Sequence, residues 1–371
     1  MLAFARYAIL FLIFTISAGN VTNSFLLKWG FRDKGEDSSY LQTYSLTGMM
    51  NGTAPRPYVY RSTIVQLIKK GVDKIDPDVQ AKLFMSITRY DSLRNSYFNG
   101  IPMRYWTPPV AITYHITYLL VYWTFFISLI FLFKIAKHMG QDYSRSLLSV
   151  VAFCFIYPLI FQQGGYYYDF FELLGLVSTA YFTLKRKFYI STFLVFIFAF
   201  NKETFFLVPL ALFFLYDDKV GLKTKIFLLL TQLVFSLSAR HYIMSGYEGN
   251  TGGLVEWHLW ENFLFWIDPR SYFGFYNLVG KGVFTPALEN PIIAIPLLIF
   301  YTYAWGKSEN RYKFYFWAAL IPVLCLSILF GFRDEFRNLS LAIPAAFLIA
   351  LSGVSDFSKI FAMDENQESN L

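Results

Sequence analysis

The feature that most constrains this chain is the recurrence of long, unbroken apolar runs. One opens the sequence, and others follow at roughly 110–133, 146–163, 168–184, 188–201, 203–216, 225–244, 288–305, 314–331 and 338–355. A helix crossing a bilayer needs about 20 mainly apolar residues. In lipid only helices and closed barrels satisfy every backbone N–H and C=O, and runs that are continuous rather than alternating select the helix. Composition agrees. Of 371 residues, 56% are hydrophobic, 21% aromatic and only 15% charged, where a soluble domain carries about a quarter charged. The expectation is an all-α, polytopic transmembrane protein of about ten spans. It forms a single transmembrane domain over 1–355, followed by a polar tail over 356–371.

The first run has one basic residue, Arg6, and a signal-like Ser17-Ala18-Gly19. Apolar character resumes at Val21 and Phe25-Leu26-Leu27, so an uncleaved first span is expected on length. The runs 188–201 and 203–216 are short for spans and read as a hairpin turning at Asn201-Lys202-Glu203. The alternative, one long buried helix, places charge at its midpoint, where it is costly.

Loop charge tests the scheme. Basic residues collect in one alternating set of loops: Lys134, Lys137 and Arg145; Lys185-Arg186-Lys187; Lys219, Lys223 and Lys225; Lys307, Arg311 and Lys313. Placing that set in the cytoplasm satisfies the positive-inside rule at each loop and puts both termini inside. The same rule explains the net charge of +7 without nucleic acid as a partner; the partner it implies is the bilayer. The two cysteines, Cys154 and Cys325, lie inside apolar runs, and the four histidines have no ligand spacing, so neither a disulfide framework nor a zinc site is indicated.

The remaining polar groups fall on the opposite, outer side. The loop 28–109 holds Glu36-Asp37, Tyr40, Pro55-Arg56-Pro57-Tyr58 and Arg61. Beyond them, 62–70 and 79–90 have helical apolar spacing, broken at Gly71 and Asp76-Pro77-Asp78, and read as short amphipathic helices on the membrane surface. Later come Tyr166-Tyr167-Tyr168-Asp169 with Glu172, then Lys202 and Glu203. The loop 246–288 follows, with Glu256, Trp257, His258, Trp260, Asp268 and Arg270, and last Arg333, Glu335 and Arg337. Lys202-Glu203 and the 333–337 loop could each be neutralised internally. A run of tyrosines also suits simple interfacial anchoring.

These residue types permit a definite chemistry. A carboxylate at the membrane surface can take a proton from an acceptor hydroxyl or amine. Guanidinium groups bind phosphate oxygens in pairs, and Arg56 sits between two prolines that restrict its backbone. Cations facing a leaving phosphate stabilise the charge that grows there. Together they describe sugar transfer from a lipid-linked phosphate donor.

An acid pair after a first span, Asp37-x-x-Tyr40, then Gly52 followed by Arg56-Pro57-Tyr58-Val59-Tyr60-Arg61, resembles the membrane glycosyltransferases of the GT-C superfamily, in particular uncharacterised bacterial branches. Tyr166-Tyr167-Tyr168-Asp169, Asn201-Lys202-Glu203-Thr204 and Glu335-Phe336-Arg337 extend the likeness. The resemblance implies a multi-span helical fold with its site on the outer face of a bacterial inner (plasma) membrane. It implies a polyprenyl-phosphate sugar donor, a glycan or lipid acceptor, and inversion at the sugar carbon. By it Asp37 is the catalytic base, with Glu36 beside it. Substrate contacts are expected from Tyr40, Arg56, Tyr58, Arg61, Asp169, Lys202, Glu203, Arg333, Glu335 and Arg337, with Trp257, His258 and Trp260 stacking on sugar or covering the site. Some relatives use a divalent ion (Mg or Mn); no second acidic cluster demands one, and the metal stays open. The chain departs from larger relatives in having no soluble C-terminal domain. A surface-polysaccharide polymerase or ligase shares the chemistry and would rely on Arg270 or Arg240. A transporter or flippase would place polar groups mid-membrane on broken helices.

Overall fold

The computed structural model describes residues 2–28, 31, 45–89, 92–161, 165–253, 255, 257–276, 284–333 and 335–354. The chain is almost all helix. Its long elements are α1 (Leu2–Lys28), α5 (Pro108–His138), α6 (Tyr143–Ile156), α7 (Tyr167–Leu184), α8 (Phe188–Ala199), α9 (Val208–Leu215), α10 (Leu222–Ser245), α12 (Pro291–Lys307) and α13 (Asn310–Phe330). A final helical stretch, α14 (Phe336–Val354), completes them. The loops expected outside add α2 (Leu46–Met50), α3 (Thr63–Val72), α4 (Pro77–Thr88) and α11 (Leu259–Ile267). Among the described residues the only strands are a two-residue antiparallel pair, β1 (Phe275–Tyr276) and β2 (Thr285–Pro286).

Local sequence sets the helix ends. Asp76 caps α4 through the Asp78 N–H, with Pro77 in its first turn. Asp142 caps α6 through the Arg145 N–H at 2.8 Å, and Asn290 caps α12 through the Ile292 N–H at 3.1 Å. Each satisfies a donor the helix itself leaves open. α3 ends at Val72, one residue past Gly71, and α4 starts at Pro77 behind its cap Asp76, so the break falls between the two points expected.

Among the described residues, six helical stretches are long and apolar enough to cross a membrane: Arg6–Leu26, Pro108–His138, Tyr143–Phe161, Leu222–Ser245, Asn310–Phe330 and Phe336–Val354. The other expected spans are helical but shorter or less apolar. α8 has 12 residues, about 18 Å of helix. The runs 188–201 and 203–216 form a hairpin, not one helix: at its base Phe188 meets Tyr216 with ring centroids 5.3 Å apart, and Arg186 pairs with Asp217.

α5 is the central post, packed against α7, α1, α6, α3 and α4. α7 then packs on α8, α8 on α10, and α9 on α13. Aromatic rings fill the centre: Phe25 lies 4.6 Å from Phe170 and 5.8 Å from Tyr157, and Phe125 stacks on Tyr157 at 5.4 Å. Lipid gives no hydrophobic drive between helices, so close approach over small residues matters. A Cβ at Gly175 would sit 2.6 Å from the Phe198 ring, and one at Gly353 would sit 2.8 Å from the Ala304 methyl.

The bundle has two chemically different ends. The basic loops meet at one, where Tyr143 donates to the Arg6 carbonyl at 2.6 Å and Gln141 to the Leu351 carbonyl at 3.1 Å. The loops expected outside meet at the other. There Asn250 donates to the carbonyls of Gly52 and Ala54 at 2.8 and 2.9 Å, and Tyr247 to Gln66 at 2.7 Å.

Candidate functional site

At that second end, four stretches distant in sequence build one ion cluster. The first two turns of α7 supply Asp169 and Glu172. Asp169 reaches back to accept the Tyr166 N–H at 2.8 Å, as an acid in a helix's first turn can. The hairpin tip supplies Lys202 and Glu203, the start of α14 supplies Glu335, Arg337 and Ser340, and the loop before α3 supplies Arg61.

Lys202 is the hub. Its ammonium lies 2.7 Å from Glu172 Oε2 and 3.4 Å from Asp169 Oδ1. Arg337 Nη1 donates to Asp169 Oδ2 at 3.1 Å, and its Nε to Glu335 Oε1 at 2.7 Å. Ser340 donates to Glu172 at 2.8 Å. Arg61 holds Glu203 with both arms of its guanidinium, through Nε at 2.9 Å and through Nη2, and gives a third bond to the Tyr168 hydroxyl at 2.8 Å. Lys202 is 5% exposed and Arg337 6%.

The two halves are joined through aromatic rings. Arg61 lies over Tyr168 at 5.0 Å, Tyr168 stacks on Tyr166 at 5.0 Å, and Arg337 lies over Tyr166 at 4.8 Å. The tyrosine pair is thus clamped between two guanidinium planes, an arrangement favoured by the negative face of the rings. Asn201 donates to the Tyr168 carbonyl at 2.8 Å, and Tyr167 to the Arg61 carbonyl at 2.6 Å.

Charge in the cluster is nearly balanced. Three cations (Arg61, Lys202, Arg337) face four carboxylates (Asp169, Glu172, Glu203, Glu335). Burial pulls the Lys202 ammonium down, but Glu172 and Asp169 overcome this and its pKa ends above the ordinary 10.5. Burial likewise opposes the Arg61 charge, and Glu203 and Tyr168 outweigh it. Glu335, pushed up by burial, is held below its ordinary 4.5 by Arg337 and Asn338.

Of the expected site residues, Arg61, Asp169, Lys202, Glu203, Glu335 and Arg337 are brought together. Lys202 and Glu203 do not neutralise one another: they serve different halves of the cluster. Tyr58 stands at the edge, its ring 5.8 Å from Tyr166. Arg56 takes part in a seam between the loops 28–109 and 246–288: its N–H donates to the Thr251 carbonyl and its Nη2 to the Gly252 carbonyl, each at 2.8 Å. Gly252, at φ +88°, is required there, since a Cβ would stand 2.5 Å from the Arg56 carbonyl oxygen. Arg333 is exposed, at φ +34°, with its guanidinium 5.5 Å from the Phe332 ring. Arg333 and Arg270 border an open groove of about 440 Å³ with Glu261, Leu264, Phe265, Asp268 and Ser271. Glu36, Asp37, Tyr40 and Glu256 lie outside the described residues. Among the described residues no three of His, Cys, Asp and Glu gather as metal ligands.

Sequence reasoning passed over Tyr166, Tyr168, Asn201 and Ser340. The tyrosines stood in a recognised motif but read as membrane-belt residues; Asn201 stood in the expected hairpin turn but was given no role of its own, and Ser340 carried no local signal. Compared with known proteins, the chain matches no family model, no curated protein and no solved structure.

Proposed function

We propose that the chain is an integral membrane glycosyltransferase, moving a sugar from a polyprenyl-phosphate donor to a glycan or lipid acceptor at the outer face of a bacterial inner membrane. The reading takes about ten crossings with both termini cytoplasmic, and a GT-C-like fold. The observation that carries it is the convergence of acidic and cationic side chains from four distant segments at one end of an otherwise apolar bundle. Ionisable groups at membrane level are costly and are retained mainly for function.

In this reading Asp37, with Glu36 beside it, takes the acceptor proton as the acceptor oxygen or nitrogen bonds to the sugar carbon. The bond from that carbon to the phosphate oxygen breaks, and the lipid phosphate leaves with its electron pair. Arg61, Lys202 and Arg337 are each already matched by carboxylates, so their part is to fix the walls of the site. Arg56 and Arg333 pair with no described carboxylate, which makes them the cations better suited to receive the donor phosphate. Tyr40 and Tyr58 complete the contacts.

The test is native mass spectrometry of the gently purified protein, followed by transfer assays with polyprenyl-phosphate sugars. A co-purifying polyprenyl-phosphate sugar, and loss of transfer in a folded Asp37→Asn variant, are expected. Retained transfer in that variant with loss in Arg270→Ala would move the reading to a polymerase. Ordinary phospholipids alone, with no transfer from added donors, would overturn it.

A further inference from the structure

Helix α11 carries an aromatic face that nothing in the ion cluster uses. Its inward side is anchored by one residue. Asn262, buried, donates through its amide to the carbonyls of Gly331, Ile328 and Ser327 at 2.8, 3.0 and 3.3 Å. The His258 N–H adds a bond to the Leu329 carbonyl at 3.0 Å. These carbonyls belong to the last turn of α13 and the residue after it, where a helix lacks internal donors. α11 is therefore fixed at the level where an apolar, membrane-length helix ends.

The opposite side is apolar and uncovered. Trp260, Phe263, Leu264 and Ile267 follow helical spacing and are 66%, 50%, 47% and 57% exposed. Trp257, Phe273 and Phe275 extend the patch along the same loop. α11 packs on α13, where Leu324 and Ile328 are also exposed, as is Phe332 just past its end, so one apolar surface runs from the membrane-length helix onto α11. A polar edge borders it: Glu261 is exposed beside His258, and Asp268 pairs with the outward-reaching Arg270. A short helix with tryptophan and phenylalanine on one face and charge along an edge is the pattern of a segment lying in the membrane interface.

We infer that α11, with Trp257 and Phe273, is seated in the headgroup–acyl boundary of the bilayer at the end of the bundle that carries the ion cluster, and that its partner is membrane lipid. Trp266 meets Phe336 at 5.9 Å, next to Glu335 and Arg337. The depth of α11 thereby sets the level of the cluster relative to the lipid headgroups. This inference is independent of the transferase reading, since a protein of any activity could use such an anchor.

The test uses the full chain in phospholipid nanodiscs. Spin labels are placed through Phe263→Cys, Ile267→Cys and Glu261→Cys in a Cys154→Ser, Cys325→Ser background. Collision with oxygen, which concentrates in lipid, is compared with collision with a water-soluble nickel chelate. The oxygen-to-nickel ratio at positions 263 and 267 should be several-fold higher than at 261. Nickel-accessible labels at 263 and 267 would show a face in water. Labels there shielded from both reagents would show a face covered by protein, either a second copy or the cluster itself. Both overturn the inference. If the cysteine-free background does not fold, brominated-lipid quenching of the native chain is compared with Trp260→Phe. The variant should lose part of the quenchable emission, and an unchanged quenching profile would overturn the seat in lipid.

Discussion

At the residue scale, Lys202 is the most consequential side chain in the cluster. Replacing it with methionine leaves Asp169 and Glu172 buried with one fewer cation, and removing one partner of a buried pair costs about 3–5 kcal/mol. Lys202→Met should therefore lower the melting temperature in detergent far more than Arg333→Ala, whose guanidinium is exposed and unpaired among described carboxylates. Arg333→Ala should instead reduce transfer while leaving melting nearly unchanged. The pH dependence follows from two shifts of opposite sign. Glu335 has a folded pKa below its ordinary 4.5, so its contribution is present above that value and is lost as pH falls through the folded one. Lys202 has a folded pKa above 10.5, so its contribution is full below that value and is lost as pH rises through the folded one. Melting temperature should hold a plateau between these limits and fall on both sides. The alkaline limb should be shallower in Lys202→Met.

At the element scale, two contacts are open to test. Gly175 admits the Phe198 ring between α7 and α8. Gly175→Leu forces that ring or the helix to move, and overpacking of this kind costs about 1–3 kcal/mol; differential melting against Gly71→Leu, where space is open, isolates the packing effect. Asn262→Leu strips the amide from the end of α13. Leaving the buried Gly331 carbonyl without its Asn262 donor costs about 1–3 kcal/mol, and hydrogen exchange should quicken in α11 and the last turn of α13 before it does in α5. Elements were also where sequence reading served best. Apolar runs located the helices, and Asp76-Pro77-Asp78 marked a break between two of them; the caps Asp142 and Asn290 came from the structure. The expected hairpin was legible from its length and its polar tip. The shortness of α8 and α9 was legible as well; the structure adds that α8 has 12 residues and that α9 opens with a tighter turn at Glu203–Leu207.

At the scale of the molecule, the alternation of basic loops predicts a polarity that cysteine accessibility in intact cells can check. Single cysteines at 140, 186, 219 and 308 should be shielded from an impermeant thiol reagent, and those at 100, 250 and 333 should react. Mixed labelling within either set would break the scheme. The sequence by itself determined a helical membrane protein, where its helices lie, and which loops share an end, because apolar length and loop charge are properties of local stretches. Only the tertiary structure decided which ions pair. Lys202 and Glu203, adjacent in the chain, turn to different partners. Arg337 finds Asp169 across 168 residues and Arg61 finds Glu203 across 142. Tyr166 and Tyr168, which read as belt anchors, lie inside, between the two guanidinium groups. The reason is geometric: pairing over such separations depends on how helix ends are brought level by packing against α5 and α7, and no run of neighbouring residues encodes that alignment.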